Sequence, residues 1–144
     1  MATMSRSIVI NAPVETILEI TEDPDRLPEW YAGIEEVRTD GVFPKVGGTA
    51  DMVYKAAGIT FTVQQTARIY EPGKRNEYEL RGMISGTYTE TMESEGDTTR
   101  YILDFDYQMP GGGVGKIIDK LFVERMNAQQ LEQSLEYLKA LAEK

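Results

Sequence analysis

The stretch of sequence that decides the fold is residues 110–144, PGGGVGKIIDKLFVERMNAQQLEQSLEYLKALAEK. It begins with a glycine-rich segment and contains no Gly or Pro after Gly115. At 100° per residue its apolar side chains form one broad stripe, which predicts a long amphipathic helix. About thirty helical residues span roughly 45 Å, so the rest of the chain must supply a surface that covers the helix. The stripe consists of Val114, Ile117, Ile118, Leu121, Ala128, Leu131, Leu135, Leu138 and Ala142.

Two residue types on which many active sites depend are missing from the sequence. The 144 residues include no Cys and no His. Without Cys there are no disulfides, thiolate metal sites, iron–sulfur clusters or thiol nucleophiles. Without His the usual general base near neutral pH, the Ser-His-Asp triad and imidazole metal sites are excluded as well. We therefore expect no metal and no cofactor.

The charge balance limits the partners that the protein can have. Asp and Glu number 24 against 15 Lys and Arg, which gives a net charge of −9. Phosphate backbones and anionic membrane surfaces are poor partners for so acidic a chain. No segment has the apolar core of a signal peptide or the ~20 apolar residues of a membrane span. We expect a single domain over residues 1–144 in the cytoplasm, a monomer or a homodimer, without nucleic acid or stable membrane insertion.

The middle of the chain alternates apolar and polar residues, which is typical of strands with one buried face. Short turns join these segments, so an antiparallel meander is favoured over a parallel sheet with crossovers. Strands are predicted at residues 7–11, 34–39, 49–56, 59–70, 75–82, 86–94 and 99–109, and short helices at 14–20 and 25–32. The clearest alternation places on one face Ile59, Phe61, Val63, Ala67 and Ile69.

An antiparallel sheet with one apolar face buries that face when it curls around a long helix. We therefore predict an α+β fold, in which a curved antiparallel sheet of about seven strands and two short helices wrap around the long C-terminal helix. The question of function then becomes a question of what lies between the sheet and that helix.

The order of these elements resembles the helix-grip superfamily of START domains and plant pathogenesis-related allergens (SRPBCC), especially its polyketide cyclase/dehydrase-like branch. The resemblance rests on IVINAPV at residues 8–14, the segment from Asp23-Pro24 to Trp30, the turn EGDTTR at residues 95–100 and the glycine-rich start of the last helix, in this order. It implies a helix-grip fold with a deep cavity that holds lipids, sterols, polyketides or other apolar molecules. The same fold also hosts aromatases and cyclases, so site residues must distinguish binding from catalysis.

The inward faces of the predicted strands combine Tyr and Met with aliphatic residues. Tyr offers ring area and a hydroxyl, and Met adapts its shape, which suits a pocket for bulky, partly oxygenated ligands. A core filled by its own side chains would show the same pattern. The strands supply as candidate lining Met52, Tyr54, Phe61, Val63, Tyr78, Leu80, Tyr88, Glu90, Met92, Leu103, Phe105 and Tyr107. The C-terminal helix adds Val114, Ile118, Leu121, Phe122 and Arg125.

Glu90 is a carboxylic acid on the apolar face, between Tyr88 and Met92. Burial raises the pKa of an unpaired carboxyl, which allows general acid or base chemistry without His. Arg125, near the middle of the helical stripe, is the expected partner of Glu90 or of a ligand carboxylate or enolate. Alternatively, Glu90 forms a purely structural ion pair, or a one-residue shift in register turns it to solvent.

The aromatic pair Trp30-Tyr31 ends the second short helix. We expect these side chains to lie near a mouth of the pocket, or to anchor the small helices on the sheet.

The leading hypothesis is therefore a protein that binds or carries a hydrophobic small molecule such as a lipid, polyketide or isoprenoid. The alternative is a polyketide aromatase/cyclase-like enzyme in which Tyr88, Glu90 and Arg125 move protons and stabilise an enolate. A third class is a ligand-free interaction module, which an absent internal void and a large exposed apolar patch would favour.

Overall fold

The structure is a computed structural model that describes residues 2–56, 58–108 and 120–144. These residues form seven strands, three α-helices and one 3₁₀ turn, Pro24–Arg26. The helices are α1 (Val14–Thr21), α2 (Leu27–Trp30) and α3 (Lys120–Ala142). The strands are β1 (Ala2–Ile10), β2 (Ile34–Thr39), β3 (Thr49–Ala56), β4 (Ile59–Glu71), β5 (Arg75–Gly82), β6 (Ser85–Ser94) and β7 (Thr99–Gln108).

All seven strands form one antiparallel sheet in the order β1-β7-β6-β5-β4-β3-β2. Six of them follow one another as a meander, and β1 lies beside the last strand. The predicted curved α+β architecture is confirmed. β1 is longer than the predicted residues 7–11, because it pairs with β7 from Ala2 opposite Tyr107 to Ile10 opposite Thr99. Among its first residues only Ala2 and Met4 are apolar, and this alternation is too short to predict a strand.

The predicted alternation holds along β5, β6 and β7, where every second side chain is buried. In β4 the register shifts between Ala67 and Ile69, so that Ile69 is only half-buried and the strict alternation ends there. Ile59 was expected on the buried face and is 55% exposed. That prediction is wrong because Ile59 is the first residue of the strand, where its partner Ala56 is the end of β3.

The C-terminal part of α3 buries the predicted stripe, with Leu131, Leu135, Leu138 and Ala142 inside the core. The backbone N–H of Ala32 donates to Ser134 Oγ at 2.9 Å. This part of α3 also packs on β1 and α1. The earlier stripe positions Val114, Ile117 and Ile118, and the side chain of Leu121, lie outside the described residues. No helix in the described ranges is apolar over a length that would cross a membrane.

Truncating Leu138 tests this attachment of α3. The side chain is fully buried, so Leu138→Ala is expected to lower the free energy of unfolding by about 3 kcal/mol, through lost burial and the cavity that remains. Tyr137→Ala, at the 49% exposed neighbouring position, should change it by less than about 0.5 kcal/mol. Urea denaturation measures both values, and equal losses would show that the helix is not held by this stripe.

Candidate functional site

Two small, partly open chambers lie side by side in the fold. The first, here called the α3 chamber, has side chains of α3 in its wall, and the second, the Glu90 chamber, contains Glu90. Each has a volume of about 20 Å³, which is room for a single water molecule. Tyr31, Gln65 and Tyr88 line both chambers and therefore form the partition between them.

The Glu90 carboxyl group is buried, at 6% exposure, and is held by three neutral donors. Its Oε1 accepts hydrogen bonds from Asn76 Nδ2 at 3.2 Å and from the Tyr78 hydroxyl at 3.3 Å. Its Oε2 accepts a hydrogen bond from the Tyr101 hydroxyl. The sheet register explains this arrangement, because Asn76 on β5 lies directly opposite Glu90 on β6, and Tyr101 lies opposite Met92, the next inward residue of β6.

Burial raises the pKa of the Glu90 carboxyl group, although the hydrogen bonds from Tyr101 and Asn76 oppose this effect. The nearby carboxylate of Glu22 raises it further. Burial, followed by the charge of Glu90, also raises the pKa values of the Tyr78 and Tyr101 hydroxyls, which therefore remain protonated donors. The arrangement is an internal acid that can hold a proton at pH values where a surface Glu has lost it.

The predicted pairing of Glu90 with Arg125 is wrong. Arg125 is exposed on α3, and the hydrogen bonds of Glu90 come from Asn76 and the two Tyr hydroxyls instead. Neutral donors satisfy the carboxyl group without a cation. Among the described residues that line the two chambers there is also no Lys or Arg.

Trp30 and Tyr31 are both buried. Trp30 is 1% exposed and packs edge-on against Tyr101, with ring centroids 6.3 Å apart. Tyr31 makes edge-on contacts with Tyr54 at 6.2 Å and with Tyr88 at 5.9 Å. This geometry agrees with the expected anchor of the small helices, and it places both rings in the walls of the chambers.

Several buried polar atoms in the chamber walls have no hydrogen-bond partner within the described structure. Thr21 Oγ1 and Trp30 Nε1 belong to side chains of the Glu90 chamber, and Asn127 Nδ2 belongs to one of the α3 chamber. An unpaired buried polar group costs about 1–3 kcal/mol, and folded proteins satisfy most of these groups. These three atoms have almost no accessible surface, so they lie behind the chamber walls rather than facing the open space.

The structure distributes the predicted lining residues unequally. The α3 chamber includes Tyr31, Tyr54, Phe61, Val63, Leu80, Tyr88 and Phe105. The Glu90 chamber includes Trp30, Tyr31, Tyr78, Tyr88 and Glu90. Buried in the core, but outside the walls of these two chambers, are Met52, Met92, Leu103 and Tyr107. Outside the described residues lie Val114, Ile118 and the side chains of Leu121 and Phe122.

Sequence analysis did not single out four polar residues that belong to the site. Gln65 and Asn76 were detectable, because alternation places Gln65 between Val63 and Ala67, and Asn76 on the face of Tyr78. Thr21 and Asn127 gave no comparable signal, since each is an ordinary polar residue on a helix whose exact orientation the sequence does not define.

The comparison with protein families covers nearly the whole chain. Residues 1–143 match the model described as polyketide cyclase / dehydrase and lipid transport. The chain belongs to this family. No curated protein sequence matches it significantly.

Solved structures with the same fold include members of the START superfamily and aromatase/cyclases. TTHA0849 from Thermus thermophilus is 18% identical, with a TM-score of 0.82, and 98% of this chain and 97% of that chain are covered. The Zhui aromatase/cyclase from Streptomyces sp. R1128 is 13% identical, with a TM-score of 0.83 and coverages of 99% and 93%. A START superfamily protein from Mycobacterium smegmatis is 16% identical, with a TM-score of 0.78 and coverages of 98% and 97%. At these identities the likeness shows the helix-grip fold, as predicted, and the fold alone.

Proposed function

We propose that this member of the polyketide cyclase/dehydrase and lipid transport family binds or carries a hydrophobic small molecule, such as a lipid, polyketide or isoprenoid, between the sheet and the C-terminal helix. The observation that carries the proposal is a pair of adjacent chambers that are lined mainly by aromatic and aliphatic side chains and include the polar side chains of Gln65 and Glu90. A core that served only stability would leave little such space. The chambers thus also favour this function over a ligand-free interaction module.

Ligand binding requires the partition between the chambers to move. Each chamber alone accepts only a water-sized group, so a larger molecule joins them by displacing the side chains of Tyr31, Gln65 or Tyr88. The surrounding rings offer apolar area, and each Å² of apolar ligand surface removed from water contributes about 25 cal/mol. The Tyr hydroxyls and the amide of Gln65 add hydrogen bonds that orient an oxygenated ligand.

Purification of the protein under native conditions tests this function. An organic extract of the protein should contain an enriched apolar compound detectable by mass spectrometry, and the emptied protein should bind the neutral dye Nile red. Val63→Phe, which projects a ring into the α3 chamber, is expected to weaken dye binding at least tenfold, or by about 1.4 kcal/mol.

Thr62→Phe is the matched control, because Thr62 is the exposed neighbour of Val63 on the same strand. It should leave dye binding unchanged, and circular dichroism should show that both variants are folded. An empty extract together with no dye binding by the wild-type protein would refute the proposed function.

A second candidate function is cyclase-like catalysis, which the buried Glu90 carboxyl group favours. Its raised pKa and its contacts with Tyr78 and Tyr101 suit a general acid that donates a proton to a developing enolate in a dry site. Arg125 takes no part in this version because it is exposed. Glu90→Gln, which cannot donate an acidic proton, should abolish the cyclisation of a poly-β-ketone thioester and retain Nile red binding. Unchanged turnover would eliminate this candidate.

A further inference from the structure

The Glu90 chamber approaches the protein surface beside the β2–β3 loop, residues 40–48. Most side chains of its wall are buried, and the half-buried ones are Thr21, Pro24, Leu27 and Pro44. The first three lie between the end of α1 and the start of α2, and the fourth belongs to the loop. The chamber therefore faces the outside between that connection and the loop, where Phe43 is the buried side chain that the loop adds to the wall.

Phe43 connects this loop to the acid of the chamber. Its side chain is 8% exposed and packs against Tyr78, with ring centroids 5.3 Å apart. The Tyr78 hydroxyl donates to Glu90 Oε1 at 3.3 Å, so a single side chain separates Phe43 from the carboxyl group. Phe43 lines the Glu90 chamber and not the α3 chamber. It thus belongs to the end of the two chambers that no described side chain of α3 lines.

Hydrogen bonds to Asp40 hold the backbone on which Phe43 is carried. Asp40 Oδ1 accepts hydrogen bonds from the backbone N–H groups of Val42 at 2.9 Å and Phe43 at 3.1 Å. Asp40 Oδ2 accepts one from the N–H of Thr49 at 3.1 Å. These bonds lower the pKa of the Asp40 carboxyl group, which therefore stays ionised as an acceptor. The start of the loop is thereby fixed to the start of β3.

The other end of the loop is attached to β4. The backbone N–H of Gly47 donates to the Ala67 carbonyl at 3.0 Å, and the N–H of Ala67 donates to the Gly48 carbonyl at 2.9 Å. Gly48 also packs closely on Phe43, because a Cβ atom at Gly48 would lie 2.2 Å from the Phe43 nitrogen. A ligand that reaches Phe43 therefore meets a ring whose backbone is held from both sides.

We infer that Phe43 is a specificity-determining residue that limits the length of the ligand, because its ring closes the outer end of the Glu90 chamber. The inference rests on the proposed function and specifies its ligand class. The partition side chains move when a ligand joins the two chambers, whereas Phe43 stays in place. An apolar chain gains affinity with each methylene until it reaches Phe43, and a longer chain gains no more.

Neutral alcohols from 1-hexanol to 1-tetradecanol test this limit, because the described chamber walls contain no Lys or Arg that would favour an anion. Displacement of Nile red measures their affinities. Each buried methylene strengthens binding about fourfold, and in the wild-type protein we expect this gain to stop at one chain length within the series. In Phe43→Ala the gain should continue for about two further methylenes. The alcohol of that length should then bind about tenfold more tightly to the variant than to the wild-type protein.

Two control variants separate a length limit from a general loosening of the fold. Val42→Ala, at the 49% exposed loop position beside Phe43, should leave the limit unchanged. Leu138→Ala removes core packing at a residue that lines neither chamber, and should leave it unchanged as well. Phe43→Leu removes less volume, so it should move the limit by a smaller step, and it replaces Phe43→Ala in the test if that variant does not fold. Circular dichroism verifies the fold of each variant.

The possible failures are distinguishable. If Nile red binds but the limit is the same in the wild-type protein and the folded Phe43 variants, or no limit occurs within the series, Phe43 does not determine ligand length and the proposed function stands. An equal shift of the limit in Val42→Ala or Leu138→Ala also overturns the inference. If neither Nile red nor any alcohol binds to the wild-type protein, the proposed function itself fails, and the inference fails with it.

Discussion

Glu90→Ala is expected to lower the free energy of unfolding by about 4 kcal/mol, because it removes the acceptor of three buried donors at once. Asn76 Nδ2 and the hydroxyls of Tyr78 and Tyr101 all donate to the Glu90 carboxyl group. Glu90→Gln retains a carbonyl oxygen and the shape of the side chain, and should cost only about 1 kcal/mol.

Urea denaturation of the two variants measures this difference. Glu93→Ala, an exposed acid on the same strand, is the control and should stay within about 0.5 kcal/mol of the wild-type value. If Glu90→Ala were as stable as Glu90→Gln, the three donors would have other acceptors, and the proposed internal acid would lose its structural basis.

The difference in unfolding free energy between the wild-type protein and Glu90→Gln depends on pH in a defined direction. The folded-state pKa of Glu90 is raised above its ordinary value of 4.5, so the folded protein keeps this proton to higher pH than the unfolded chain does. Stability from the protonated group is complete below pH 4.5 and is lost as the pH rises through the folded-state pKa. Glu90→Gln lacks this loss. The difference in unfolding free energy should therefore move in favour of Gln as the pH increases from about 4.5, and a difference independent of pH would show that the Glu90 pKa is not raised.

The fold could be predicted because its signals are local. A period of two along β5, β6 and β7 and a period near four in α3 each require only one segment, and the antiparallel order follows from the short turns between strands. The bulge after Ala67 and the full length of β1 were not predicted, because both depend on pairing with a neighbouring strand. The sequence of one segment does not show which strand it pairs with, so it does not reveal features that the partner strand imposes.

The site was predicted less completely than the fold. Alternation along β6 was sufficient to predict that Glu90 is buried. Its expected partner, Arg125, which was alternatively expected to bind a ligand carboxylate or enolate, does not contact it. Asn76 and Tyr101 provide the hydrogen bonds instead, from the strands on either side. Which residue stands opposite Glu90 depends on strand register, and register is set by turns and bulges that a period of two does not specify.

Gly86→Ala is expected to lower the free energy of unfolding by about 4 kcal/mol, a loss comparable with that of Glu90→Ala, although it adds only a methyl group. Gly86 has a φ of +145°, a conformation that side chains rarely adopt. A Cβ atom there would also lie 1.9 Å from the backbone oxygen of Asp106 on β7. Backbone in a strand ladder cannot move aside as a flexible side chain can, so the strain of φ and the steric clash add.

Gly96→Ala separates these two contributions. Gly96 also has a positive φ, +84°, but a Cβ atom there would meet nothing within 4 Å, so only the conformational cost of about 1–2 kcal/mol applies. Urea denaturation compares the variants, and a similar loss for both would mean that β6 and β7 separate easily at Gly86. The close packing of Gly86 against the β7 backbone matters for the site, because Gly86 directly precedes the part of β6 that places Tyr88 and Glu90 inside the fold. We therefore expect that Gly86→Ala, where it still folds, weakens Nile red binding, whereas Gly96→Ala does not.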